Sequence, residues 1–96
     1  MRRGAGMTKS TRHSRIEAAG RLLYGDRWQL PMSRLVGVSQ SLITKIFARD
    51  DSDRRAVTDD VYGMVADALI AEAGRMRKVA DRVEEAGRKM RAELGD

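Results

Sequence analysis

The chain has no cysteine and a single histidine, His13. Disulfides and thiolate metal sites are therefore excluded, and one imidazole cannot build a zinc site alone. No apolar run reaches the eighteen residues a membrane span needs, and the N-terminal arginines have no hydrophobic stretch behind them. A cytoplasmic protein with neither metal nor cofactor is expected. At 96 residues the chain suits one small domain, with a core limited by its surface-to-volume ratio and little room for a catalytic cleft. Ser39 and Ser41 have no base at a recognisable spacing, and the acids form no helical ligand pattern, so no catalytic residue is assigned.

What is present is basic charge, unevenly placed. Arg2, Arg3, Lys9, Arg12 and Arg15 stand in residues 1–15 without an acid and equal the whole net charge of +5. In residues 16–49, Arg21, Arg27, Arg34, Lys45 and Arg49 face only Glu17 and Asp26. Such an excess is the electrostatic footprint of a phosphate-binding surface, or else a solubilising tail.

The stretch Gln29–Ala48, QLPMSRLVGVSQSLITKIFA, gives the charge a partner. Met32 and Val36 take inward positions of one helix with small Ser33 between them, and Pro31 falls in its first turn, where a missing amide is tolerated. Gly37 supplies the positive φ that a tight reversal requires. Val38 plugs the turn and Ser39 caps a second helix, whose Ile43 and Ile46 face back onto the first. Gln40, Ser41, Thr44 and Lys45 are left on the outer face, with the chemistry to meet base edges. Leu42 falls between the two faces, where it meets either a thymine methyl or the core.

The string LVGVSQSLITKI and its spacing resemble the Xre-type, lambda-repressor-like helix-turn-helix family. The strong resemblance covers about a fifth of the chain, and Ser33 stands where the family usually has alanine. It implies a transcriptional regulator that binds double-stranded DNA, with Gln40, Ser41, Thr44 and Lys45 as base contacts. Arg12, Arg15, Arg34, Ser39 and Arg49 become the phosphate contacts, and a nucleoid-associated location follows. The alternative at this point is an ordinary helical hairpin.

The remaining pattern predicts an all-α fold in three parts. Residues 1–14 read as a flexible basic arm that could lie in a minor groove. Residues 15–70 form the DNA-binding domain, opened by a helix near Arg15–Tyr24 with Ile16, Ala19, Leu22 and Leu23 at helical spacing. Trp28 and Leu30 are expected to anchor the motif, and the acids of the loop after Ala48 lack the glycine and glutamate of a calcium loop. Thr58 caps a last helix, with Asp59 and Asp60 complementing its dipole. From Asp59 to Leu94 there is no proline, enough for about 54 Å of helix, with Gly74 as the point where it would kink.

Residues 71–96 are a helical dimerisation extension. Alternating steps of three and four pick out a seam through Tyr62, Ala66, Leu69, Ala73, Met76, Ala80, Val83, Gly87, Met90 and Leu94. Bulky and small residues alternate along it, as suits a close, antiparallel or crossing pair. Glu84 with Arg88 and Glu85 with Lys89 form ion pairs on the wet face. A homodimer on a palindromic operator, with half-sites one helical turn apart, follows: a compact repressor of the mobile-element kind. Two rivals remain. One is an antiactivator-like module that binds a protein partner through the long helix, the other a sequence-neutral architectural DNA binder.

Overall fold

A computed structural model describes residues 4–50, 52 and 54–95, with side chains from Thr11 onward. The described residues form helices and no strand: α1 (Gly4–Tyr24), a 3-10 turn over Gly25–Arg27, α2 (Gln29–Val36), α3 (Gln40–Ile46) and α4 (Asp59–Glu93). Ile16, Trp28, Met32, Val36, Ile46, Val57 and Val65 make the core, one or two residues from each α-helix with Trp28 and Val57 from the connections between them. Met32 is fully enclosed, and Ile16, Ile43 and Ile46 are nearly so. Burying each contributes roughly 1.5–3 kcal/mol, so the domain is held by few large terms. Gly20 lets the indole of Trp28 lie against α1; any Cβ there would overlap the ring.

Helix α1 begins well before the position expected from the sequence. The sequence is aperiodic through Ser14, yet helix runs from Gly4, while residues 1–3 lie outside the described residues. The physical reason for its inner part is tertiary. Arg12 donates to the Val57 carbonyl at 3.0 Å and to Asp59 at 2.8 Å, and its guanidinium lies 4.8 Å from the centre of the Tyr62 ring. His13 is buried edge-on to Phe47, its Nε2 3.1 Å from the Arg55 carbonyl. A carbonyl only accepts, so this nitrogen carries the proton.

Helix α4 starts where Thr58 Oγ1 accepts from the Val61 amide at 3.2 Å, the cap expected of it. It continues unbroken through Gly74. A helical glycine costs about 1 kcal/mol relative to alanine, too little to interrupt an otherwise well-formed ladder. The face it turns to the domain is Val61, Tyr62, Val65, Ala68 and Leu69. Val65 is buried and Ala66 exposed, which corrects the inward phase assigned to Ala66. The helix α1 packs over the Val65 edge, so the seam and the core-facing stripe share only Tyr62 and Leu69. Two further expectations fail: Leu30 is 38% exposed and Leu22 is 87% exposed. Leu22 and Leu23 are adjacent on α1, and only Leu23 can turn even partly inward.

From Arg75 onward every described residue of α4 is exposed. The molecule is accordingly elongated, 62 × 33 × 22 Å, with a radius of gyration of 18.3 Å. A compact chain of this length would have about 12–13 Å.

Candidate nucleic-acid interface

The sequence places two short helices around a three-residue reversal, Gly37–Ser39. Gly37 sits at φ 89°, the left-handed region, and the amides of Gly37 and Val38 both donate to the Ser33 carbonyl at 2.9 and 3.0 Å. Those two bonds satisfy the Ser33 carbonyl in the last turn of α2. Ser33 is buried, and its hydroxyl donates to the Leu30 carbonyl at 2.7 Å, so its polarity is satisfied where an alanine would also fit. Ser39 is in extended backbone and its Oγ accepts from the Leu42 amide at 3.0 Å, starting α3.

Helix α3 is held by one face. Ile43 and Ile46 are buried, and Leu42 packs half-buried against the core. Gln40, Ser41, Thr44 and Lys45 are all exposed, together on the outer side. The C-terminal end is closed by the following loop: the Arg55 amide donates to the Lys45 carbonyl at 3.1 Å and Arg54 Nε to the Ala48 carbonyl at 3.0 Å. In that loop Asp50 accepts from both the hydroxyl and the amide of Ser52, at 2.8 and 3.0 Å, which holds its carboxyl below the usual range.

Beside this pair lies a cleft of about 320 Å³ lined by Glu17, Arg21, Trp28, Gln29, Phe47, Arg49 and Arg54. Of the phosphate contacts expected, Arg49 lies in this cleft, Arg34 is exposed on α2, and Ser39 is exposed at the start of α3. No protein-family model, curated protein or solved structure matches this chain. The geometry alone therefore carries the functional reading. The resemblance noted in the string LVGVSQSLITKI stays a resemblance.

Two expected phosphate contacts are placed elsewhere. Arg12 is engaged by Val57, Asp59 and Tyr62 in an internal clasp between α1 and α4. Arg15 lines the groove between α1 and α4 beside Tyr62 and Leu69. The cleft also gathers Gln29 and Arg21, which no sequence spacing marks as site residues. Arg21 is bridged to Glu17 at 2.9 Å and Asp26 at 3.0 Å, and only the fold brings it beside Arg49.

The seam residues fall into two environments. Leu69 and Ala73 are half-buried, whereas Met76, Ala80, Val83, Gly87, Met90 and Leu94 are exposed. The groove beside the first of these, about 680 Å³ and overwhelmingly apolar, is walled by Leu22 and Leu23 of α1 and by Leu69, Ala73, Met76 and Ala80 of α4. Among the described residues no three His, Asp or Glu cluster as a metal site would, and no helix is long and apolar enough to cross a membrane.

Proposed function

We propose that this chain is a sequence-specific double-stranded DNA binder of the helix-turn-helix kind, with α3 as its recognition helix, acting as a dimeric repressor on a palindromic operator. One observation carries the reading: α3 is anchored by Ile43, Ile46 and Leu42 while Gln40, Ser41, Thr44 and Lys45 are all presented outward. Gln40 can pair with an adenine edge through two bonds, Ser41 and Thr44 can reach neighbouring edges, and Lys45 can meet a guanine or a phosphate. Arg34, Arg49 and the hydroxyl of Ser39 supply the phosphate contacts that fix register. A location on the nucleoid follows from this partner.

Selection of bound sequences from a random DNA pool should return an inverted repeat. Gln40→Ala and Lys45→Ala should each weaken binding to it by about 1–3 kcal/mol, read by fluorescence anisotropy at fixed salt, with the melting temperature unchanged. Unchanged affinity in both variants removes the assignment. A steep salt dependence without sequence preference selects the architectural binder instead.

The second reading, a module that binds another regulator through α4, is favoured by the exposure of Met76, Val83, Met90 and Leu94. It has less support at α3, whose outer face carries no aromatic anchor of the sort protein interfaces use.

A further inference from the structure

The exposed half of α4 has an unpartnered face, and three observations point to what covers it. The chain exposes 7270 Å², roughly 1,700 Å² more than a compact monomer of its mass. A standard interface takes only about 800 Å² from each partner. From Leu69 to Met90 the face alternates bulky and small residues. Its flanking charges also distinguish between registers.

We propose that α4 pairs with α4 of a second copy of this chain, antiparallel, in the register that sets Ala80 against the partner's Val83. The same register sets Ala73 against the partner's Met90 and Gly87 against the partner's Met76. Ala73, Ala80 and Gly87 then each receive a large residue, which lets the two backbones approach closely at interior-like packing density. A parallel, in-register pair stacks alanine on alanine and methionine on methionine, leaving voids and crowding by turns.

Charge selects this register among the antiparallel ones. Along one edge of the seam stand Ile70, Arg77, Glu84 and Arg91. In the proposed register Arg77 meets the partner's Glu84, twice by symmetry. Shifting by one heptad in one direction sets Arg77 on the partner's Arg77, and in the other Glu84 on the partner's Glu84. Both juxtapositions oppose association. Arg77 makes no ion pair among the described residues. Glu84 uses Oε2 for Arg88, which leaves Oε1 for a second cation. On the opposite edge Val79 meets the partner's Ala86, and Glu72 stands near the partner's Glu93, a like-charge contact that Arg75, bridged to Glu72 at 2.6 Å, offsets.

The groove at the end of α1 completes the fit. The partner's Met90 and Leu94 arrive beside Ala73 and Leu69, between them and the exposed Leu22. Pairing thus gives Leu22 a neighbour that its own chain does not supply. At 1.5 Å per residue the two Asp59 ends stand about 68 Å apart along the seam, two turns of B-DNA and not one. This spacing rests on the DNA-binding reading, whereas the pairing does not.

Because the chain has no cysteine, introduced thiols report the register cleanly. Ala73→Cys and Met90→Cys chains, mixed and mildly oxidised, should give the 73–90 disulfide, and neither chain alone should cross-link. Cross-linking of either variant with itself, or a monomeric mass in solution, overturns the proposal. Arg77→Glu and Glu84→Arg should each weaken dimerisation about tenfold or more, and the double variant should restore it, since it exchanges the two charges. Failure of that rescue also overturns it. In footprints on a selected operator, protected half-sites should be two turns apart. One-turn spacing with the 73–90 disulfide in place rejects this geometry on DNA, while loss of DNA binding with the disulfide retained rejects only the function proposed above.

Discussion

Helix α4 is one continuous element in two environments. Between Val61 and Leu69 it is covered by α1 and the core, and beyond Gly74 the same helix carries the same spacing of apolar residues without burying any of them, Leu22 and Leu23 of α1 flanking only Met76 and Ala80. The difference teaches that a heptad-like pattern records a demand for a partner, not the identity of the partner. Tyr62 and Leu69 satisfy that demand within the chain; Met76, Val83 and Met90 do not.

The contrast can be broken most sharply through glycine. Gly20→Ala drives a methyl into the Trp28 ring and should cost about 3 kcal/mol or more, seen as a collapse of the urea midpoint. Methionine gives the next largest difference. Met32→Ala empties an enclosed site and should cost about 2–5 kcal/mol. Met90→Ala, on an exposed face, should leave the unfolding of dilute protein almost unchanged and weaken association instead, as sedimentation would show. Gly74→Ala, off the seam and with nothing near its added methyl, should stabilise by about 0.5–1 kcal/mol. That sign is opposite to Gly20→Ala in the packed half.

The smallest effect belongs to Glu72, at the boundary between the two environments. The hydrogen bond from Arg75 holds its carboxyl below the usual carboxylate range, against a smaller opposing effect of burial. Its contribution is therefore present above that range and is lost as the pH falls through the lowered value. Glu72→Gln should slightly flatten the acid limb of melting temperature against pH, and a steepened limb would contradict the sign.

Much of this architecture was legible because it is local. Gly37, the caps at Ser39 and Thr58, and the bridges Glu84–Arg88 and Glu85–Lys89 each depend on residues within about one turn, and each stands where the spacing placed it. The inward positions of α2 and α3 followed from periodicity for the same reason. What escaped is non-local. The anchors of Arg12 lie 45 and 47 residues away, and that of His13 lies 42 away, so neither side chain's role can be read from its neighbours in sequence. Val65 and Ala66 illustrate the other failure: adjacent apolar residues both fit a helical stripe, and only the position of α1 chooses between them. At the candidate interface the outward set Gln40, Ser41, Thr44 and Lys45 was legible as the complement of Ile43 and Ile46. The cleft that gathers Arg21, Gln29 and Arg49 was not, because it joins two helices and the loop after α3.

The continuity of α4 has a consequence for its motion. Starting a helix is the unfavourable step and extending one is nearly neutral, so a helix rooted in a folded domain needs no nucleus of its own. The packed turns from Asp59 to Leu69 act as that root, and the remaining turns extend from it as a graft whose end is free to unwind and rewind. Amide exchange should then quicken steadily from Val65 toward Leu94, with no sharp boundary at Gly74. Where a second chain lies along the graft, the gradient should flatten, so the ordering of the last turns becomes a record of how much of the protein is paired.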